Sequence, residues 1–306
     1  MNINSNLSLS ISCLCFFAFL LDSCSENPKE PIDLKTRSGY ALKVLDRTSD
    51  QKATESAYIM YRSDIMIGDT LINTSLLTAP YLFYEVKEFK EDHNVSPVVE
   101  AFQLMNDGDS VVLTYPMSSQ ENKPSFFGDA QALDYYIKIV KTLDIEEYGE
   151  EFRKIRDEMR DEAAILTGRE EEMEEFTANV LQQFQTADPN LEFRDFGQGV
   201  KAIIHEEGQG PLPHEGAFVA VAYFGRLIST GLAFDNSFKR GKPFKYKLGI
   251  GTAIEGWDLV IPQLSKGTKA TVFVPSVLGY DKQGFPPTIG PDEDLLFYIE
   301  LVDIIK

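Results

Sequence analysis

The chain has 306 residues, 43% of them hydrophobic and 25% charged, which is enough for two ordinary domains and unlike a disordered acidic tail or a membrane protein with several spans. With 29 basic and 48 acidic side chains the net charge is -19, a balance that repels phosphate backbones and excludes sequence-independent nucleic-acid binding. Three histidines (His93, His205, His214) and three cysteines are too few and too scattered for a zinc site, and no Gly-x-Gly-x-x-Gly or Walker-type loop occurs, so no metal or other cofactor is expected.

At the N-terminal end, the apolar run Ile11 to Leu21 is too short to span a bilayer and suits the h-region of a secretory signal. Behind it, Leu21-Asp22-Ser23-Cys24 resembles a bacterial lipobox. The resemblance implies a signal peptide over 1–23, lipidation of Cys24, and a tether over 24–37 that holds the protein to a membrane of the cell envelope, outside the cytoplasm. An ordinary signal cleaved elsewhere is the alternative. The other two cysteines, Cys13 and Cys15, fall within the same leader, so no disulfide is expected in the folded part.

Residues 38–143 alternate as short strands do, as in Tyr40-Ala41-Leu42-Lys43-Val44-Leu45 and Ser110-Val111-Val112-Leu113-Thr114-Tyr115. The period then changes. Ile145, Tyr148, Phe152, Ile155 and Met159, followed after Gly168 by Met173, Phe176, Val180 and Phe184, mark an amphipathic helical segment over 144–190. Its acidic side reads as a solvated face; its apolar stripe must pack on something, and 144–187 therefore also allows an oligomer to form. Strands return in 191–306: Gly199 to Ile204, Phe218 to Tyr223, Lys269 to Val274 and Leu295 to Ile304, with one short helix, Trp257 to Leu264, between them. The class is α+β, an antiparallel sheet wrapped on a short helix.

Residues 196–306 also resemble the FKBP family of peptidyl-prolyl cis-trans isomerases. The stretches that carry the resemblance are Ala233-Phe234-Asp235-Asn236-Ser237, Arg240-Gly241-Lys242-Pro243-Phe244, Ala253-Ile254-Glu255-Gly256-Trp257-Asp258, Pro275-Ser276-Val277-Leu278-Gly279-Tyr280 and Leu295 to Leu301. The resemblance implies a prolyl pocket with Trp257 as floor and with Tyr223, Phe234, Phe244, Tyr246, Ile254, Tyr280 and Phe297 as walls. Asp235 is implied at the rim, and the Ile254 N–H and Tyr280 hydroxyl as donors to substrate carbonyls. Four positions depart from the family pattern: Phe224 in Tyr223-Phe224-Gly225, Ala253 before Ile254, Gly290 in Ile289-Gly290-Pro291, and Asp281 after Tyr280. They leave open the shape of the flap over the pocket and the substrate preference.

The residue set makes chemical sense by itself. Rotation about an X–Pro bond breaks no covalent bond and needs no nucleophile, base or metal. Its barrier of about 18–20 kcal/mol comes from amide resonance, and the twisted amide, less dipolar than the planar one, is favoured in a dry aromatic cavity. Singly, aromatics at strand spacing are core residues, and Asp235-Asn236-Ser237 is also plain turn chemistry.

The first strand-rich region reads as a weaker copy of the second. Val98 to Pro116 aligns without gaps on Trp257 to Pro275, and Leu133 to Thr142 on Leu295 to Ile304. Val98 stands where Trp257 does and Glu121 where Tyr280 does, and no Phe-Asp pair occurs near Leu71-Ile72-Asn73. A degenerate, non-isomerising FKBP-like domain over 38–143 is expected, joined by the helical linker 144–190 to an isomerase domain over 191–306; an unrelated small β domain is the alternative. The function expected is isomerisation of X–Pro bonds in proline-containing polypeptide clients, unfolded or of the envelope, with chaperone character. A non-catalytic prolyl-peptide-binding module, or a scaffold of an envelope assembly, is the rival reading.

Overall fold

The computed structural model describes residues 31–87, 95–117 and 129–305. The signal segment, Cys24 and Glu121 lie outside these residues. Two seven-stranded antiparallel sheets are joined by two helices. The first sheet contains β1 (Ile32–Lys35), β2 (Ala41–Asp46), β3 (Tyr58–Ile67), β4 (Thr70–Thr74), β5 (Leu82–Glu85), β6 (Ser110–Pro116) and β7 (Ala132–Leu143), with helix α1 (Pro97–Phe102) packed on one face. Its strand order is β1-β2-β6-β7-β3-β4, with β5 beside β3. The sheet thus begins within the stretch assigned to the tether, because Ile32–Lys35 pairs antiparallel with Ala41–Val44.

After α2 (Ile145–Thr167) and α3 (Glu170–Gln185) comes the second sheet. It consists of β8 (Arg194–Gly197), β9 (Val200–Glu206), β10 (Phe218–Leu227), β11 (Ala233–Asn236), β12 (Phe244–Lys247), β13 (Lys269–Val274) and β14 (Leu295–Ile305). Its order, β8-β9-β13-β14-β10-β11 with β12 beside β10, is that of the first sheet strand for strand. The irregularities coincide too. Val140 of β7 is passed over between the pairs Met60↔Lys141 and Tyr61↔Ile139, as Val302 of β14 is between Ala220↔Asp303 and Val221↔Leu301. A second bulge leaves Ile72 unpaired in β4 and Phe234 unpaired in β11.

The single helix of the second domain, α4 (Glu255–Val260), ends one turn earlier than the sequence pattern suggests. A 3-10 turn, Ile261–Gln263, continues it, because Pro262 carries no N–H for a helical bond. Helix α2 starts on a capping box, in which the Asp144 carboxylate accepts from the Glu147 N–H at 2.8 Å and Glu147 accepts from the Asp144 N–H at 3.1 Å.

The segment read as a linker does more than space the domains. Tyr148 stacks on Tyr58 at 3.8 Å and Phe152 meets Phe83 at 6.2 Å, so the start of α2 leans on the first domain. Of its expected stripe only Ile155 is buried; Ile145 (74% exposed) and Met159 (45%) face solvent, since α2 bridges the domains along much of its length. Helix α3, by contrast, lays Met173, Phe176, Val180, Leu181 and Phe184 on Ala222, Phe224, Phe273, Leu296 and Tyr298, the outer face of the second sheet. With the pocket side of the sheet packed on α4, every residue of β10 is buried, an unusual state for an antiparallel strand. The domains also touch directly. Leu71, Leu76 and Leu77 pack on Phe218, Ala220 and Ile305, while Lys245 and Lys247 donate to the carbonyls of Leu76 (2.9 Å) and Leu71 (2.6 Å).

Candidate active site

Trp257 lies in the first turn of α4 and is 4% exposed, with its indole facing the inner side of the second sheet. Tyr223 meets its ring edge-on at 5.1 Å and Phe297 at 5.2 Å; Tyr246 and Phe244 follow at 6.1 and 6.3 Å. Phe234 stands perpendicular to Phe297 at 5.5 Å. Six aromatics from β10, β11, β12, β14 and α4 therefore form one cage, with Ile254 and Tyr280 half-buried against the same cluster. Edge-to-face packing at these separations stabilises the cage beyond simple area burial.

The bulge in β11 sets Phe234 beside this cage and brings Asp235 opposite Gly225. Gly225 is required there, because a Cβ would fall 2.7 Å from the Phe234 ring and 3.0 Å from Phe297. Asp235 accepts from the Tyr223 hydroxyl and from Arg240, and Arg240 Nη2 donates to the Tyr223 oxygen at 2.6 Å, closing a triangle. Burial, reinforced by the Asp235 carboxylate, pushes the Tyr223 phenol well above its ordinary range, so it stays a proton donor at neutral pH. Burial raises the Tyr246 phenol likewise. The Tyr246 hydroxyl and the Trp257 indole N–H are both buried without a hydrogen-bond partner among the described residues. Each such group costs about 1–3 kcal/mol, an expense that the fold alone does not explain.

The backbone of Ile254, the residue that caps α4, accepts from Trp257 N–H at 3.0 Å through its carbonyl. Tyr280 faces Phe285 at 5.5 Å, and its phenol is raised by burial and by the nearby Asp235 charge. All nine pocket residues named from the sequence thus come together. Cys24 lies outside the described residues.

A family model described as FKBP-type peptidyl-prolyl cis-trans isomerase matches residues 210–302, the part that carries this cage. FK506-binding protein 1 of Candida albicans is 39% identical over 113 residues, covering 33% of this chain and 90% of that relative. The chain belongs to the FKBP-type peptidyl-prolyl cis-trans isomerase family. FK506-binding protein 1A of Aspergillus fumigatus is 40% identical over 107 residues (35% of this chain, 95% of the relative). Peptidyl-prolyl cis-trans isomerase FPR2 of Saccharomyces cerevisiae is 42% identical over 86 residues (28% and 64%). The second domain is accordingly an FKBP-type isomerase domain, and its enzyme class is peptidyl-prolyl cis-trans isomerase.

Two of the departures from the FKBP pattern now have physical reasons. Phe224 does not face the flap: it is 1% exposed on the opposite side of the sheet, against Met173, Phe238 and Tyr298, and belongs to the cover supplied by α3. Asp281 has φ 47, the left-handed region that glycine enters freely and that aspartate tolerates better than most residues. Its carbonyl accepts from Asp292 N–H at 2.9 Å and so straps the loop beyond Tyr280. Arg240 was missed as a site residue. Its signal in the FKBP-like stretch is its place five residues after Asp235, at the end of a turn that returns toward the carboxylate.

Proposed function

We propose that the second domain isomerises X–Pro bonds in proline-containing polypeptide clients, unfolded chains or envelope proteins, by desolvating the prolyl amide and stabilising its twisted form. The observation that carries this reading is the cage of Tyr223, Phe234, Phe244, Tyr246, Trp257 and Phe297 around a carboxylate tied to Tyr223 and Arg240. A prolyl ring lying on the indole sheds its water. The planar amide loses hydration that its twisted form needs less, so the cage favours the transition state over the ground state. The Ile254 N–H and Tyr280 hydroxyl hold the flanking carbonyls as preorganised donors. Asp235, fixed at the rim by two donors, orients the Tyr223 side of the cage.

The first domain takes no part in the chemistry, and the lipobox-like Leu21 to Cys24 supports a lipid anchor that places both domains in the cell envelope. Chaperone character and oligomer formation rest on the exposed Ile145, Phe152 and Met159 of α2. Sedimentation as a monomer that leaves client aggregation unchanged would remove both. Replacing Cys24→Ser should release the protein into the soluble fraction; retention in the membrane pellet would contradict the anchor.

The isomerase reading is tested on the full chain with a chromogenic tetrapeptide containing one Leu–Pro bond, and with a refolding reaction limited by X–Pro isomerisation, a step of tens to roughly hundreds of seconds uncatalysed. Acceleration of both is expected. FK506, the ligand in the names of two relatives, should bind the same cage and change the emission of Trp257, the one tryptophan of the chain. Binding without turnover would replace the enzyme by a prolyl-binding module.

A further inference from the structure

Asp235 and Arg240 are both substantially exposed, at 44% and 39%, so burial does not hold their pairing; the turn between them must. That turn, Asn236 to Gly241, is fastened from outside the residues matched by the family model. Phe238 is fully buried among Met173, Tyr298 and Leu166, with the Arg169 guanidinium 5.2 Å above its ring. Arg169 is itself clasped by Glu300, at 3.1 Å through Nη1 and 2.5 Å through Nη2. Asn236 Nδ2 donates to Glu170 at 3.4 Å, while its carbonyl oxygen caps the Lys239 N–H at 2.6 Å. Gly241, at φ +63, sits so close to α2 that a Cβ there would lie 3.0 Å from the Ala163 methyl. Residues 163–173, where α2 turns into α3, thus press on the turn at each of its ends and at its centre.

Resting on the isomerase reading above, we infer that this helical corner is a positioning element of the enzyme: it fixes the turn that returns Arg240 to Asp235, with Phe238 and Ala163 as the positioning residues. The contacts of the corner are with the turn and with Tyr298 and Glu300 on the outer face of the sheet, so it acts on the rim carboxylate through the turn. Loosening it leaves the prolyl ring its cavity and misplaces the group that orients Tyr223, so turnover should suffer more than binding.

The test uses the full chain and the Leu–Pro tetrapeptide. Phe238→Ala, which empties the anchor, and Ala163→Leu, which pushes on Gly241, should each lower kcat about tenfold with KM within about twofold of wild type. Amide exchange over 236–241 should quicken about tenfold in both, while 269–274 stays protected. Phe238→Leu should restore most of kcat. Val180→Ala, which removes buried contacts of α3 with Phe273 and Leu296 away from the turn, should change neither quantity. Wild-type kcat in folded Ala163→Leu, unmoved exchange at 236–241, or an equal loss in Val180→Ala would overturn the inference; should Phe238→Ala fail to fold, Ala163→Leu carries the test. A wild-type chain without turnover would remove the isomerase reading alone. Amide exchange over 236–241 would then replace kcat, and exchange unmoved from wild type in both variants would overturn the positioning role.

Discussion

The two domains share a strand order and a bulge pattern and differ in what lies between sheet and helix. Strand pairing gives the counterparts directly. Ser63 stands for Tyr223, Asn73 for Asp235, Leu82 for Phe244, Tyr84 for Tyr246, and Tyr135 for Phe297. The first core closes over Phe102, fully buried between Tyr61 at 4.9 Å and Tyr84 at 5.2 Å, where the second domain has Ile261. On the outer face the copies diverge again. Glu300, which accepts from Arg169 at the start of α3, has Lys138 as its counterpart, and Lys138 instead donates to the Gly108 carbonyl at 2.7 Å. The same sheet wrapped on a helix thus carries an aromatic cage around Trp257 in the second domain and a core closed around Phe102 in the first.

The difference between the domains should show first in the number of ligands bound. Calorimetry of the full chain with FK506 should give one site; two sites would mean that the first domain keeps a working pocket. Next in size, Phe102→Ala should destabilise the first domain by about 3–5 kcal/mol, seen as an earlier thermal transition, with tetrapeptide turnover unchanged. A proportionate fall in turnover would show that the first domain supports the second. Asp235→Asn gives the second domain the residue found at 73 in the first, and the loss of a charge-assisted pair, about 1.5–3 kcal/mol, should lower kcat/KM by about 10- to 100-fold; full activity would remove the carboxylate from the mechanism.

Arg169→Gln tests the clasp on Glu300 in the second domain. Although burial alone would raise the Glu300 carboxyl, the hydrogen bonds from Arg169 and Tyr298 hold it below its ordinary value near 4.5. A depressed carboxylate pKa stabilises the fold above the unfolded value, and that contribution is lost as pH falls through the folded one. The variant should therefore be less stable than wild type by about 1.5–3 kcal/mol at pH 7, and the gap in denaturant midpoint should close below about pH 4.5. A gap independent of pH would assign the effect to packing on Phe238.

Much of the second domain was legible because its site is written in short contiguous stretches. Phe234-Asp235, Ile254 to Trp257 and Tyr280 each sit at an element end, where local sequence and local geometry coincide. The role of α3 was not legible: the stripe Met173, Phe176, Val180 and Phe184 shows that something must be covered, and only the three-dimensional arrangement shows that it is the back of β10, β13 and β14. Phe224 misled for the same reason, since alternation along a strand does not say which face a helix elsewhere in the chain will occupy. Arg240 escaped because an exposed arginine has no periodic signature; its task appears only once the turn folds back.

The bulges at Val140 and Val302 hold the two copies of the sheet in the same phase. A bulge shifts the phase of a strand by one residue, so a single insertion or deletion between it and the inward positions would have turned Tyr135 or Phe297 outward. Neither strand carries such an edit. Along these strands the two copies are in phase, and the shared bulge in β4 and β11 means that Ile72→Phe and Asn73→Asp would enter the first domain at positions whose backbone already matches the second. What separates the copies there is a handful of side chains on an unaltered frame, so a pocket can be lost or regained one codon at a time without the chain ever passing through a broken sheet.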